Sequence, residues 1–182
     1  MFSVLFYKPV DNRCYYENLN GTDLREKYRI RIYEHSKNSI MLECKRKERG
    51  KTRKTSHPIS YDLANSIMER KEFCIDELPP PARKMTLLGL RPVIIVEYTR
   101  IPYVYSMGNV RVTFDMGISF SSSISELFEE RIQRRPAMPI GLHIMEVKYD
   151  EFLPDHIYRA LNLGTLQQTT FSKYYLCRKL SM

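Results

Sequence analysis

Tyr28-Arg29-Ile30-Arg31-Ile32-Tyr33 alternates strictly between charged and apolar side chains. A period of two puts Arg29 and Arg31 on one face of a β-strand and Ile30 and Ile32 on the other. The next apolar stretch, Ile40-Met41-Leu42-Glu43-Cys44-Lys45-Arg46-Lys47, repeats the pattern: Glu43, Lys45 and Lys47 share a face, and Leu42 and Cys44 share the opposite one. The polar segment His35-Ser36-Lys37-Asn38-Ser39 between them reads as a turn, so the two strands are expected to form a hairpin.

The same chemistry returns along the chain. Val93-Ile94-Ile95-Val96-Glu97-Tyr98-Thr99-Arg100 places Tyr98 and Arg100 together. After a turn at Ser106-Met107-Gly108-Asn109, Val110-Arg111-Val112-Thr113-Phe114-Asp115 aligns Arg111, Thr113 and Asp115. His143 to Tyr149 aligns Glu146 and Lys148. Val4 to Lys8 reads as a strand already under way at the start of the chain. An antiparallel sheet with one wet face gives such alternation by itself. Here, however, the polar faces carry mostly Arg and Lys, with Glu43, Glu97, Asp115 and Glu146 set singly among them as metal ligands or Arg partners would be.

Helices are expected between the strands. Ser60 is a good N-cap for a helix to about Lys71, with Leu63, Ile67 and Met68 at helical spacing. A second, shorter helix is expected over Ala82 to Leu88, after a rigid connector at Pro79-Pro80-Pro81. Ser125 to Glu130 reads as a short turn or helix. Pro154 to Leu163 reads as a helix burying Ile157, Tyr158 and Leu161, and Ser172 to Leu180 as a terminal helix or strand. The basic run Lys45 to Lys54 reads as a solvated hairpin tip.

Composition narrows the class. The chain has 182 residues, with 29 Lys+Arg against 21 Asp+Glu, a formal net charge of +8 and 43% hydrophobic residues. That is the profile of one globular domain attracted to polyanions. No apolar run approaches the ~20 residues of a membrane span. The N-terminus lacks the pattern of a secretory leader. Cys14, Cys44, Cys74 and Cys177 are scattered without CxxC spacing, which reads as reduced thiols of a cytoplasmic protein rather than a zinc site. The dispersed His35, His57, His143 and His156 read as loop or packing residues.

If the sheet curls, the charged faces line the inside of a barrel, which at about eight strands holds side chains or one small ligand. Cations buried there without counterions are prohibitive. A polyanion that enters and leaves resolves the conflict. Phosphate chains accept bidentate guanidinium bonds, and each opposite-charge pair at about 4 Å and an effective dielectric of about 20 contributes about 4 kcal/mol before desolvation. Glu146 fits such a wall as the anchor of a divalent cation bridging phosphates.

In that order, YRIRIY, LECK, RPVIIVEYTR, NVRVTFD, IMEVKYDEFLP and FSKY resemble the VTC domain, the polyphosphate polymerase domain of the triphosphate-tunnel (CYTH-like) superfamily, from about Val4 to Cys177. The resemblance implies an α+β fold: an antiparallel β-barrel tunnel with helices packed outside, forming a single tunnel domain over residues 1–182. It implies ATP and polyphosphate as ligands, with Mn²⁺ or Mg²⁺ as cofactor. No nucleic acid partner and no transmembrane segment are expected, since the basic strands lack an RNA-binding aromatic motif.

Carried over by position, Arg29 and Arg31 match the paired tunnel arginines and Lys45 the lysine of the LExK strand. Lys54 stands for the basic residue of the strand after it. Tyr98 and Arg100 match a Tyr-x-Arg pair, Arg111 the arginine of the RxTxD strand, Glu146 the metal-binding glutamate, and Ser172 and Lys173 the FSK segment that closes on the phosphate chain. The family's first strand, with alternating Glu and a basic residue, has no counterpart, so the chain reads either as N-terminally truncated or as a diverged member that binds without catalysing. Lys8 stands where an acid is usual, and Thr170 where a polymerase can carry another lysine. The expected activity is transfer of the γ-phosphate of ATP to a polyphosphate chain. The alternatives are hydrolysis of tripolyphosphate or nucleoside triphosphate in the same tunnel, and polyphosphate binding without catalysis.

Overall fold

The computed structural model describes residues 1–9, 25–71, 73–130, 133–162, 164, 166 and 168–182. Cys14 lies outside the described residues. In chain order the elements are β1 (Phe2–Lys8), β2 (Arg25–Tyr33), β3 (Ile40–Glu48), β4 (Lys51–Ile59), α1 (Tyr61–Glu69), α2 (Pro80–Leu87), β5 (Arg91–Tyr105), β6 (Val110–Ser121), β7 (Arg135–Pro136), β8 (Ile144–Lys148), α3 (Asp155–Leu161) and α4 (Lys173–Ser181). The strands form an eight-stranded antiparallel sheet in the order β4-β3-β2-β1-β5-β6-β7, and β8 pairs with β6 beside β7.

Alternation divides the sheet into two faces. On the outer one, Leu5, Tyr28, Ile30, Ile32, Leu42 and Ile95 pack against Ala64, Ile67 and Met68 of α1 and Ala82 and Met85 of α2. Ser60 caps α1 as the sequence requires, its hydroxyl accepting from the Leu63 N–H at 3.2 Å. The proline run is more than a connector: Pro80 and Pro81 open α2, where the missing N–H costs nothing. On the inner face, Val4, Phe6, Ile94, Val96 and Tyr98 pack against Tyr174 and Cys177 of α4. The expectation of charged inner faces therefore holds for β2 and β3, whereas β1 and the first half of β5 supply an apolar floor.

The sheet curls until β2 and β3 on one side and β8 on the other line a single cavity. Among the described residues no ladder joins β4 to β8. Part of the curvature comes from a bulge: Gly117 and Ile118 of β6 oppose Tyr98 alone, between the pairs Glu97–Ser119 and Thr99–Met116. Gly117 takes φ +59°, as the first residue of such a bulge does.

Two expectations are corrected. The run Lys45 to Lys54 is not a loose tip: the chain reverses at Arg49-Gly50, and the rest of the run belongs to β3 and β4. The helix expected over Pro154 to Leu163 is α3, two turns long, and it buries none of its residues. Tyr158 is 59% exposed. α3 touches the end of the β5–β6 hairpin, where His156 meets the Tyr105 ring edge-on.

Gly108 anchors the return from β8. Its carbonyl accepts from Asp150 N–H at 3.1 Å, and an added Cβ would stand 2.8 Å from the Phe152 carbonyl oxygen. With φ +72° as well, Gly108→Ala is expected to destabilise the protein by about 2 kcal/mol or more in chemical denaturation. An unchanged midpoint would contradict this packing.

Candidate phosphate-binding tunnel

The cavity encloses about 260 Å³. Arg29 and Arg31 of β2, Lys45 of β3, Tyr98 and Arg100 of β5, Glu146 of β8 and Ser172 and Lys173 at the start of α4 all line it. Residues from five elements, as far apart in sequence as Arg29 and Lys173, thus converge on one space. Lys54 and Arg111 do not reach it. Lys54 stands opposite Lys45 on β4 and turns its ammonium to Glu43, 2.7 Å away. Arg111 shares its strand face with Thr113 and Asp115 but lies at the far end of β6, exposed and level with Lys148.

Two buried carboxylates organise the cations. Glu43, 1% exposed, receives Arg29 Nε at 2.6 Å, an Arg31 guanidinium nitrogen, the Lys54 ammonium and, more distantly, the Ser56 hydroxyl at 3.4 Å. Asp115, fully buried, receives a fork from Arg100, Nε at 2.6 Å and Nη2 at 2.8 Å, and the Lys173 ammonium. Burial alone would raise both carboxyl pKa values. The hydrogen bonds and charges of these cations outweigh it and hold both below the ordinary carboxylate range. The expectation that Asp115 pairs with an arginine is met by Arg100 across the β5–β6 ladder, and Lys173 adds the contact that ties α4 to this wall. The fourth acid, Glu97, faces the other side of the sheet, where it accepts from the Ser3 hydroxyl at 2.6 Å and pairs with Arg134 and His35.

Aromatic faces hold the cations in place. Lys173 Nζ lies 4.8 Å from the centre of the Tyr98 ring, and the Arg100 guanidinium 5.4 Å from it. The Ser172 oxygen is engaged as the N-cap of α4, accepting from the Tyr175 N–H at 3.3 Å.

Glu146 differs from the other acids. Its side chain is 39% exposed, with Oε1 3.0 Å from Lys148 Nζ and Oε2 3.6 Å from Arg100 Nη2. Among the described residues, no three His, Cys, Asp or Glu side chains gather as a metal cage. One open carboxylate beside a phosphate site is nonetheless a sufficient donor set for Mg²⁺ or Mn²⁺, which take one or two carboxylates and fill the remaining positions with phosphate oxygens and water. The residues fit a metal shared with a phosphate ligand, not one held by protein alone.

Arg25, Lys27, Lys47, Thr52, Lys148 and Phe171 also line the cavity. Arg25 and Lys27 carry the alternation of Arg29 and Arg31 two steps further back, so the signal lies in the sequence, interrupted only by Glu26 on the other face. Lys47 and Lys148 share faces with Lys45 and Glu146, but nothing in that pattern alone marks them as tunnel residues.

The VTC domain family matches residues 3–182, essentially the whole chain. The chain belongs to this family. No curated protein sequence matches it. Among solved structures, that of a "putative adenylate cyclase" from Bacillus halodurans is similar, with a TM-score of 0.55 over 94% of this chain and 78% of that one at 12% identity. At that identity the likeness is one of fold. The VTC domain described here is a triphosphate-tunnel protein: a curled antiparallel sheet with a cationic interior, α1 and α2 packed on its outer face and α4, contrary to the expectation of helices outside alone, on its inner one. No helix among its described residues is long and apolar enough to cross a membrane.

Proposed function

We propose that this VTC domain is a metal-dependent polyphosphate polymerase, with the tunnel holding ATP and a growing polyphosphate. The reading rests on one observation: Arg29, Arg31, Lys45, Arg100 and Lys173 converge on a cavity where, among the described residues, Glu146 is the one open carboxylate. The terminal oxygen of the chain attacks the γ-phosphorus of ATP. The bond from that phosphorus to the β,γ-bridging oxygen breaks, and ADP leaves with the electron pair. The protein's part is alignment and charge neutralisation.

Arg29, Arg31 and Arg100 clamp phosphate oxygens in forks set by Glu43 and Asp115. Arg111 and Lys54 act from outside the cavity, Lys54 through the Glu43 carboxylate it shares with the two arginines. Lys45 and Lys173 neutralise charge on the entering and leaving oxygens, and Tyr98 and Ser172 position Lys173 and the start of α4. Glu146 holds Mn²⁺ or Mg²⁺. The ion when bound supplies Lewis-acid neutralisation of the phosphate oxygens.

Incubation with ATP, Mn²⁺ and a short polyphosphate primer tests the reading: longer chains and stoichiometric ADP are expected. Orthophosphate without lengthening would replace it with hydrolysis, and tight binding with no turnover would replace it with a binding module. Glu146→Gln is expected to abolish metal-dependent turnover while sparing most metal-free tripolyphosphate binding. Equal loss of both would contradict that division of labour.

A further inference from the structure

The far half of β5, with β6 and β8 beside it, forms a wing of the sheet whose charges all take one phase. Arg100 of β5, Arg111 and Asp115 of β6, and Glu146 and Lys148 of β8 fall in the phase of the tunnel face. The alternate positions of the same stretches carry no charge. They form two rows in register across the three strands, Ile101–Phe114–Met145 and Tyr103–Val112–Val147. The Tyr103 ring meets the Phe114 ring edge-on, with centroids 6.0 Å apart.

An antiparallel sheet can leave one face wet when the other is packed. On this wing the wet face is the charged one, so the apolar face is the one that needs cover. Among the described residues, neither packed cluster of the fold includes any of these six side chains. Tyr103 is 60% exposed and Ile101 41%, and the other four are half-buried. At the hairpin tip α3 meets the same face, His156 lying against Tyr105. Its own apolar stripe, Ile157, Tyr158 and Leu161, is not fully buried either. An open apolar sheet and an open apolar helix thus stand side by side on one chain.

We propose that this face pairs two copies of the chain, wing against wing about a two-fold axis, with α3 of each copy seated at the end of the other's wing. Thickness, charge and area all favour a second copy as the occupant. Sheets packed face to face stand about 10 Å apart, close to the diameter of a helix, so α3 fits the gap between two wings. The rows offer no Lys or Arg to an anionic bilayer or a nucleic acid strand. α3 adds Asp155 and Arg159, both exposed, one acid and one base that a two-fold axis can set against each other. At about 150–250 Å² per aromatic side chain, the open parts of Tyr103 and Tyr158 amount to roughly 200 Å². The remaining side chains of the rows and of α3 bring the face to roughly 500 Å² per copy, so a pair buries roughly 1,000 Å², the lower bound of a specific interface. The tunnel lies on the opposite side of the wing, so the pairing does not depend on what the tunnel binds.

Sedimentation velocity over about 1–200 μM tests the proposal on the wild type, Tyr103→Glu and Tyr158→Glu. The wild type is expected to pass from monomer to dimer with a dissociation constant in the micromolar range, as suits so small an interface. Each substitution buries a carboxylate in the pair and is expected to weaken dimerisation at least tenfold. Both positions are exposed in the single chain, so the dilute variants should melt within about 2 °C of the wild type. The two substitutions lie on different elements, so each reports on the interface independently of the other.

A wild type that stays monomeric throughout would overturn the proposal. So would a dimer that both variants keep, since the contact would then lie elsewhere. Binding of the monomeric wild type to phosphatidylcholine vesicles, lost in both variants, would make the face a bilayer-docking surface instead.

Discussion

Asp115→Asn is expected to lower the melting temperature of the ligand-free protein by about 4–12 °C and to enlarge the further rise that tripolyphosphate gives. Asp115 is fully buried and carries both the Arg100 fork and the Lys173 ammonium. Removing one partner of a buried pair costs about 3–5 kcal/mol. Arg100 and Lys173 keep about a fifth of their side-chain surface in water, and the amide retains an acceptor, so the cost is discounted to about 2–3 kcal/mol. For a chain of this size each kcal/mol moves the midpoint by about 2–4 °C.

The response to ligand separates this role from ordinary packing. In the wild type an incoming phosphate competes with Asp115 for Arg100 and Lys173. In the variant the phosphate supplies the missing anion, so the same concentration stabilises more. A lowered midpoint with no larger ligand shift would mean that Asp115 is structural only.

The pH dependence follows from the same ion pairs. The Asp115 carboxyl has a folded pKa below its ordinary value. Its contribution is therefore fully present above the ordinary carboxylate range and is lost as pH falls through the folded value. The stability gap between wild type and Asp115→Asn should be constant near neutrality and close below about pH 4. A gap that widened on acidification would have the wrong sign.

What could be read in the sequence is what period-two alternation encodes. Arg29, Arg31, Lys45, Tyr98, Arg100 and Glu146 were assignable to strand faces one strand at a time, and the curl that brings those faces together came from the resemblance to a known family. Less legible was how the cations are divided among the acids. Glu43 and Asp115 look alike in sequence to Glu97 and Glu146, each a single acid in a basic or apolar strand. Glu97 is in the phase opposite to Tyr98 and Arg100, so alternation already turns it outward, where Ser3 and Arg134 meet it. Glu146 stays open because β8 lies at the edge of the sheet. That depends on sheet order, which alternation does not contain. The misreading of α3 has a similar cause: helical spacing gives an apolar stripe its direction but not something to pack on. Arg111 is at the right phase and the wrong height, and phase alone does not fix how far along a strand the cavity reaches.

Glu43→Gln is expected to be at least as damaging as Asp115→Asn, lowering the ligand-free midpoint by about 6–12 °C. One carboxylate, 1% exposed, serves Arg29, Arg31 and Lys54. Its loss leaves three cations on adjacent strands facing one another with no anion between them, and the amide nitrogen of Gln adds a donor where only acceptors fit. About 3 kcal/mol is the expected cost, the lower end of the range for a broken buried pair because the cations are partly solvated. Glu43 also has a folded pKa below its ordinary value, so its contribution too is present above the carboxylate range and vanishes on acidification.

The two acids share no cation: Glu43 holds one wall, β2 to β4, and Asp115 the other, β5, β6 and α4. Without ligand their substitutions should therefore add within about 0.5 kcal/mol, as independent sites do. With tripolyphosphate bound, both sets of freed cations meet the same ligand, and the double variant should be less destabilised than the sum. Melting curves for the four proteins, with and without tripolyphosphate, complete the cycle. Additivity that persists when ligand is bound would mean that the two walls do not grip a common phosphate chain.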